Sequence, residues 1–339
     1  MLYRAMLTSQ YKLKIPSVFP YTDRFRAFYR EEMAPPQRAG FSQSPQKPRL
    51  FMERGEALGF TDLLELDSDW QPFDKEEFYR AHKREYVDAF FAGRRPLAES
   101  NGLNWSSEFA DSVRYTNSSL YHAICAAVLN PKQPTFSPTS GFHHARPDSG
   151  GGFCTFSGQV NASLKLYNLS GKVGAYVDLD GHFGNSIEDS RTFCKTLVQV
   201  IPREYHINPT GAHREYIADL GEKLQTLLQG LLAKKVHYVV LCHGADSHEW
   251  DDLGGQLTTT EWLVAANLVY GMLSIAAEAI GPVPFTLALF GGYRADHYES
   301  VLDLHWASVQ LALQTLGGRM SDFWPQVKPP AKADARHAS

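Results

Sequence analysis

Short apolar runs that end in polar or glycine-rich residues mark four strands along the chain. They are the run leading into Gly141, then Val173 to Asp180, Val236 to Gly244 and Phe285 to Gly292. Continuous apolar runs of this kind are typical of strands that are covered on both faces, as in a parallel sheet. We therefore predict a buried sheet that contains these strands.

Helical patterns separate several of the strands. Apolar residues recur at spacings of three and four between Gly211 and Lys235, which predicts an amphipathic helix with one buried face. The segment Thr258 to Glu261 matches a capping box and predicts a helix that runs to about Ala279. Two further helices are predicted over Lys75 to Phe91 and Ser107 to Leu129. This alternation predicts the α/β class, a single domain with a mostly parallel central sheet flanked by helices.

Proline-rich segments limit the extent of this domain. The Pro/Gln/Ser-rich stretch Pro35 to Pro48 predicts a surface loop. Residues 326–339 are rich in Pro, Lys and Ala and predict a disordered tail, so the domain comprises residues 1–325. The segment Trp262 to Phe290 is apolar enough to raise the question of a membrane span, but polar residues, glycine and proline interrupt it. We predict a core helix and strand there, and no membrane partner.

Composition excludes some classes of partner. The 339 residues include 33 Lys and Arg against 37 Asp and Glu, and no dense basic run, so direct binding to nucleic acid is not expected. The four cysteines form no Cys-x-x-Cys pair and lie in apolar stretches. That usage fits a reducing compartment, and with no signal-peptide pattern at the N-terminus we predict a cytoplasmic protein.

The residues that follow the predicted strands are unusual for a core. They read Gly141-Phe-His-His-Ala, Asp178-Leu-Asp-Gly-His-Phe-Gly-Asn, Gly244-Ala-Asp-Ser-His-Glu-Trp-Asp-Asp-Leu-Gly and Gly291-Gly-Tyr. In open parallel sheets, ligands bind beyond the carboxyl ends of the strands. Carboxylates, imidazoles and a phenol therefore converge on one edge of the predicted sheet.

Each of these groups has a catalytic and a structural interpretation. Asp180 and His182 lie two positions apart on an extended segment, so both side chains point to one side and could share a metal with a third carboxylate. They could equally cap turns. His143 and His144 are either surface histidines or the base and acid of a metal-assisted amide hydrolysis. Tyr293 is either an aromatic plug or a donor to an oxyanion.

Together, these motifs resemble the zinc-dependent histone deacetylase family, which has the arginase/deacetylase fold. The resemblance extends from about Ser17 to Leu313. It looks most like the bacterial, class II-like members, the histone deacetylase-like amidohydrolases. The motifs that carry it are Gly141-Phe-His-His-Ala, Gly152-Phe-Cys, Tyr176-Val-Asp-Leu-Asp-Gly-His, Gly244-Ala-Asp-Ser and Gly291-Gly-Tyr.

The resemblance implies the catalytic machinery. It assigns one catalytic Zn²⁺ to Asp180, His182 and Asp251. It assigns proton handling to the tandem residues His143 and His144.

Further roles follow for the residues around that machinery. Tyr293 matches a tyrosine that polarises the substrate carbonyl, Gly152 matches a backbone carbonyl that binds the substrate N–H, and Phe153 matches one wall of a narrow tunnel. Arg24 matches an arginine that lines an inner pocket.

The resemblance also implies partners for the tandem histidines. Asp178 matches the partner of the first histidine, and a structural K⁺ is implied near it. Asn185 matches the partner of the second, and an Asn in place of an Asp looks like the class II branch and should leave His144 less basic.

The function implied is hydrolysis of the amide of N-acetyl-lysine or a related acylated amine, so the expected partner is an acylated lysine or an acylated small amine. An acetylpolyamine or other small-molecule amidohydrolase is one alternative, and Asn104, where several members carry a rim Asp, favours small or unusual substrates. A catalytically inactive acyl-lysine-binding protein is another. A two-manganese ureohydrolase is disfavoured because Phe183 and Asn185 are not metal-binding carboxylates. The sequence leaves the oligomeric state open.

Overall fold

A seven-stranded parallel sheet forms the centre of the part of the chain that the structure describes. The structure is a computed structural model that describes residues 19–40 and 42–330. The strands follow the order β2-β1-β3-β7-β6-β4-β5 across the sheet, each parallel to its neighbours. Their bounds are β1 Phe25–Phe28, β2 Leu64–Asp67, β3 Thr135–Ser137, β4 Gly174–Asp178, β5 His206–Ile207, β6 Tyr238–His243 and β7 Phe285–Leu289.

Helices cover both faces of this sheet. The alternation of side chains along β6 shows why, since Val239 and Leu241 pack into one apolar cluster while Val240 and Cys242 pack into another. The first cluster is completed by α7, α8 and α9 and the second by α3 and α4. The helices are α1 Lys47–Leu58, α2 Arg84–Phe91, α3 Ser107–Leu129, α4 Gly158–Ser170, α5 Ser186–Phe193, α6 Leu197–Val200, α7 His213–Leu232, α8 Thr259–Ile280 and α9 Tyr298–Gly317.

The most apolar helix, α8, begins at the predicted capping box. The Thr258 hydroxyl accepts a hydrogen bond from the Glu261 N–H, and the Glu261 carboxylate accepts one from the Thr258 N–H. By length and composition alone α8 could cross a membrane, but 67% of its most apolar window is buried within the fold. It packs against α7 and α9 as a core helix.

The predicted fold class is confirmed, and so are the four predicted strands and most of the predicted helices. Ser107–Leu129 forms one helix as predicted. The predicted helix Lys75 to Phe91 is interrupted, because a 3₁₀ segment at Lys75–Arg80 precedes α2. The strands that the pattern missed, β1, β2 and β5, have two to four residues each and are too short to show periodicity.

One loop prediction is wrong. Within the predicted surface loop Pro35 to Pro48, residues Ser44 to Pro48 are buried, and α1 begins at Lys47. The segment is drawn into the fold because the Gln46 side-chain amide donates to two backbone carbonyls of the same loop. Of the predicted tail, residues 326–330 have no helix or strand, and residues 331–339 lie outside the described part.

Candidate metal centre and active site

The carboxyl ends of β4, β6 and β7 bring the candidate residues to one edge of the sheet. Asp178 pairs with Cys242 in register, and His243 pairs with Leu289, so the three strands end side by side. Asp180 and His182 follow β4, Asp246 follows β6 and Tyr293 follows β7. The convergence predicted from the parallel sheet therefore occurs.

A possible metal centre lies at this edge, formed by Asp180, His182 and Asp246. Each offers a ligand atom, and these atoms lie within 4.8 Å of one another. The His182 Nδ1 lies 3.0 Å from Asp246 Oδ2 and 3.2 Å from Asp180 Oδ1. Backbone N–H groups fix the other carboxylate oxygens, since Gly291 donates to Asp180 Oδ2 and Gly181 donates to Asp246 Oδ1. Hydrogen bonds of this kind to the ligand side chains set the orientation of metal ligands.

The electrostatics of these residues fit a divalent cation. Burial and the adjacent charge of Asp180 raise the pKa of Asp246 to about 8. Burial alone would raise the pKa of Asp180, but His143 and His182 hold it well below its usual value. Two carboxylates buried this close repel each other, and a divalent cation between them would offset both the repulsion and the cost of burial. Two carboxylates and one imidazole are ligands that Zn²⁺ accepts.

Two glycines make the space for this cluster. A Cβ on Gly291 would lie 2.2 Å from Asp246 Oδ2 and 2.6 Å from Asp180 Oδ2. A Cβ on Gly244 would lie 2.3 Å from Asp246 Oδ1. Real Cβ atoms do not approach that closely, so the carboxylates are cradled by positions that only glycine can fill.

Asp251, which the resemblance assigns as the third ligand, lies outside this group, and Asp246 takes the third place in it. The Asp251 Oδ2 accepts the N–H of Tyr293 at 2.7 Å, and its Oδ1 accepts the N–H of Leu253 at 3.0 Å. Asp251 thus holds the backbone of the candidate catalytic tyrosine. Asp246 and Asp251 both lie in the segment that follows β6, which ends at His243.

His143 lies between two carboxylates. Its Nδ1 donates to Asp178 Oδ2 at 2.9 Å, and its Nε2 lies 3.4 Å from Asp180 Oδ1. Burial alone would lower the pKa of His143, but the charges of Asp180 and Asp178 raise it to about 9. The predicted partner Asp178 is therefore in place, and His143 holds its proton near neutral pH.

His144 has a neutral partner, as predicted, and a third residue fixes its tautomer. The Asn185 Nδ2 donates to Asp189 Oδ2 at 2.6 Å, so the amide oxygen of Asn185 must face His144 Nδ1, which lies 2.9 Å away. Because an amide oxygen only accepts, His144 carries its proton on Nδ1 and keeps the Nε2 lone pair. Burial and the nearby His143 lower the pKa of His144. The role of Asp189 was not predicted.

The Tyr293 ring lies near both His182 and Phe153. The Tyr293 ring lies 6.2 Å from the His182 ring and 5.5 Å from the Phe153 ring, measured between centroids. Burial and the charge of Asp180 raise the pKa of Tyr293 well above its usual value, so its hydroxyl stays a donor. Gly152 has a positive φ of 47°, and a Cβ there would lie 2.4 Å from His144 Cδ2. The structure thus places Gly152 and Phe153 beside the tandem histidines.

A buried lysine behind the metal centre was missed. Lys47 is 0% exposed, and its Nζ donates to the carbonyls of Phe290 and Gly291 at the end of β7. Burial lowers its pKa to about 8, although Asp246 and Asp180 oppose that shift. Arg24, predicted to line an inner pocket, is instead exposed. Nothing in the local sequence around Lys47 distinguishes a buried lysine from an exposed one, so only the fold reveals it.

The chain is similar to known proteins in sequence and in fold. Residues 42–199 match the family model described as the histone deacetylase domain. Over 60 residues the chain is 38% identical to histone deacetylase 8 of Xenopus laevis and of Xenopus tropicalis. Each alignment covers 18% of this chain, and the two cover 18% and 16% of those relatives, so the aligned stretch spans less than a fifth of either relative.

A solved structure with a low sequence identity has the same fold. The crystal structure of the HDA15 HD domain superposes with a TM-score of 0.68 at 17% identity. The match covers 88% of this chain and 90% of that one. The agreement extends over nearly all of the described sheet and helices.

Proposed function

We propose that this chain, which matches the histone deacetylase domain model over residues 42–199 and shares the fold of the HDA15 HD domain, is a metal-dependent deacetylase of that family. Its reaction is the hydrolysis of the amide of an N-acyl-lysine or a related acylated amine, giving the free amine and a carboxylate. The observation that carries the proposal is the meeting of Asp180, His182 and Asp246 with two differently partnered histidines and Tyr293 at one sheet edge. Nucleophile activation, proton transfer and oxyanion stabilisation are the functions that amide hydrolysis requires.

Asp180, His182 and Asp246 would hold one Zn²⁺. When bound, the ion supplies Lewis-acid activation of water and of the substrate carbonyl. The residues of the chain add orientation, since the N–H groups of Gly291 and Gly181 fix both carboxylates. A structural K⁺ is proposed separately beside Asp178. It is supported by a neighbouring cavity of about 230 Å³ that is also lined by Tyr216.

The tandem histidines divide the proton transfers. His144 is neutral with a free Nε2, so it accepts the proton of the attacking water and then donates it to the leaving amine. His143 is protonated beside Asp178 and Asp180 and contributes positive charge next to the developing oxyanion. The hydroxyl of Tyr293, which keeps its proton, donates to the same oxygen.

The direct test uses the metal-loaded protein and Tyr293→Phe. We expect wild type to bind one Zn²⁺ and to hydrolyse an Nε-acetyl-lysine peptide. Tyr293→Phe should keep the metal and the thermal midpoint but lose on the order of 100-fold in kcat, because one oxyanion donor is removed. Bound zinc is measured by metal analysis after dialysis, kcat by steady-state kinetics, and the thermal midpoint by thermal unfolding. A zinc-loaded wild type without deacylase activity would reject the proposed function, and full activity of Tyr293→Phe would reject the role of Tyr293.

A further inference from the structure

Tyr293, whose ring lies beside Phe153, also lines a second cavity. It has a volume of about 390 Å³ and is lined by residues of two segments, one before α1 and one that runs from Tyr293 into α9. The first segment contributes Arg38 and the second contributes Arg294 and Tyr298. A carboxylate alone needs much less room, since a water molecule has about 30 Å³ in the liquid. The cavity is large enough for a substituent of the substrate.

Two buried polar groups of this lining have no hydrogen-bond partner among the described residues. Arg294 is 3% exposed and Tyr298 is 8% exposed. The Arg294 Nε and Nη2 donate to the two carboxylate oxygens of Asp296, but Nη1 has no acceptor. The Tyr298 hydroxyl has no partner either. Leaving such buried groups unpaired destabilises the protein, so a ligand that satisfies them would gain affinity.

The unsatisfied Arg294 Nη1 and Tyr298 hydroxyl can both donate to a hydrogen-bond acceptor. Acidic residues lie nearby, but their carboxylates already accept other hydrogen bonds. Asp296 accepts from Arg294, and Asp251 accepts from the N–H groups of Tyr293 and Leu253. An arginine nitrogen can only donate, and a tyrosine hydroxyl can donate as well as accept. Between these two groups, a cationic amine would therefore find one acceptor at most, whereas a carboxylate would find two donors.

The helix that starts in the cavity adds to this preference. Tyr298 is the first residue of the 20-residue helix α9, and the side chain of its N-cap, His297, makes no capping hydrogen bond. The unsatisfied N–H groups of a first turn carry partial positive charge. The N-terminus of α9, the Arg294 guanidinium and the Tyr298 hydroxyl thus all favour a negatively charged ligand.

We propose that this cavity is a carboxylate subsite built by Arg294, Tyr298 and Arg38, and that the natural substrate is an acylated amine that carries a carboxylate near the scissile amide. The inference rests on the proposed function, since Tyr293 is the link between the cavity and the reacting carbonyl. The Arg294 Nη1 and the Tyr298 hydroxyl bind the carboxylate, and Arg38 supplies further positive charge. The guanidinium of Arg294 is held in place by Asp296 and by the ring of Trp250, whose centroid lies 6.0 Å away.

The carboxylate could belong to either half of the substrate, and two matched pairs distinguish the sources. Nα,Nε-diacetyl-lysine and its methyl amide differ only in a carboxylate on the amine half. Nε-succinyl-lysine and Nε-butyryl-lysine in one capped peptide have four-carbon acyl groups and differ in a carboxylate on the acyl half. We expect wild type to prefer the carboxylate member of one pair by about 10-fold or more in kcat/KM.

Variants of the lining test whether the cavity causes this preference. Arg294→Gln and Tyr298→Phe should each lower the preference toward unity while kcat/KM for the neutral member changes by less than about 3-fold. Tyr298→Phe removes only a hydroxyl and should not disturb folding. Arg95→Gln removes the same charge from a side chain that is 72% exposed elsewhere, and it should keep the preference.

The outcomes separate this inference from the proposed function. A wild type that hydrolyses the neutral substrates but shows no carboxylate preference overturns the subsite, because water then satisfies the buried donors. If Arg294→Gln loses kcat/KM equally for both substrates of a pair, the subsite is also overturned. If no acyl-lysine substrate is hydrolysed, the proposed function fails, and calorimetry with succinate on zinc-loaded wild type and Arg294→Gln decides the cavity alone. Equal affinities would overturn the subsite, and weaker binding by Arg294→Gln would support it.

Discussion

Asp246 and Asp251 lie five positions apart on one loop, but their carboxylates have different contacts. Asp246 is fully buried against His182, whereas Asp251 accepts the backbone N–H of Tyr293. We expect Asp246→Ala to lose the metal and all activity. Asp251→Ala should keep stoichiometric metal and lose about 10- to 100-fold in kcat, because the tyrosine is no longer held in position.

The measurement is metal content after dialysis together with kcat for both variants. Asp251→Asn is the matched control, since its amide oxygen can still accept the Tyr293 N–H, and it should recover most of the activity. If Asp251→Ala lost the metal while Asp246→Ala kept it, the original assignment of Asp251 would be restored.

A second residue-scale prediction concerns the basicity of His144. Its partner Asn185 is neutral, and burial together with His143 lowers its pKa. Asn185→Asp places a negative charge beside His144 and should raise that pKa. The base must be neutral to accept a proton, so the acidic limb of the kcat/KM profile should move to higher pH.

The pH profiles of wild type, Asn185→Asp, His143→Ala and His144→Ala measure this division of labour. His144→Ala should be more damaging than His143→Ala at equal metal content. An unmoved acidic limb in Asn185→Asp, or a far larger loss in His143→Ala, would contradict the assignment of His144 as the base.

At the residue scale, the sequence allowed the prediction of side chains that directly follow strands. His143, His144, Asp178, Asp180 and His182 all lie where the strand-end pattern put them. The third ligand differs between the sequence prediction and the group in the structure because both aspartates of one loop are plausible ligands, and only the path of the loop decides which carboxylate turns inward. Lys47 acts from a distant segment, and a linear pattern does not record such a contact. Asp189 and Arg294 lie close in sequence to Asn185 and Tyr293, but only the fold shows which groups their side chains contact.

The elements most relevant to function are the turns that follow β6 and β7. Gly291, just after β7, has no side chain in the way of the two carboxylates, and its N–H donates to Asp180 Oδ2. A Cβ there would displace carboxylates that hydrogen bonds hold in place. Gly291→Ala should therefore weaken zinc binding by about 10-fold or more while the protein still folds.

Zinc affinity by competition with a chelating dye, together with circular dichroism, measures this effect. Gly221→Ala is the matched control, because Gly221 lies within α7 and a Cβ there meets nothing within 4 Å. That change should leave zinc affinity intact and not lower stability. An unchanged affinity in Gly291→Ala would mean that the carboxylates can move without cost.

At the level of elements, the sequence predicted the long helices and the central strands. Strands β4, β6 and β7 carry continuous apolar runs, and α8 carries an explicit start signal in its capping box. The edge strands β2 and β5 and the short β1 were not predicted because sheet pairing, rather than local pattern, stabilises so few residues.

For the whole molecule, the buried charges predict how stability depends on pH when no metal is bound. Burial and Asp180 raise the pKa of Asp246 to about 8, and Asp180 and Asp178 raise that of His143 to about 9 against the effect of burial. At these two groups, and at His182, whose pKa Asp180 and Asp246 raise to about 10, the folded chain holds protons above about pH 7 that the unfolded chain has released, so stability falls as pH rises. The buried His82, His243 and His248, whose pKa burial lowers, have the opposite effect only below about pH 7, and Lys47 offsets part of the trend above it. The thermal midpoint of chelated protein should therefore decrease from about pH 7 to about pH 9.

Zinc should reverse this trend, because it replaces the protons and binds more tightly as its ligands lose them. The test is thermal unfolding with excess chelator and with excess zinc across the same pH range. A chelated protein whose midpoint is flat or rises with pH would show that these groups do not carry the predicted protons.

The order of strands in the sheet has a consequence for how the chain folds. The neighbours β3 and β7 join residues far apart in sequence, since the hydroxyls of Thr135 and Thr286 meet across 151 positions. On a ribosome, the centre of the sheet cannot close until β7 has emerged, although α1 to α5 are made much earlier. Until then β3 and β6 each lack one of their two neighbouring strands, and the Gly291 N–H that fixes Asp180 has not been made. We therefore expect that a nascent chain stalled before Phe285 depends on chaperones and binds zinc more weakly than a chain that includes β7.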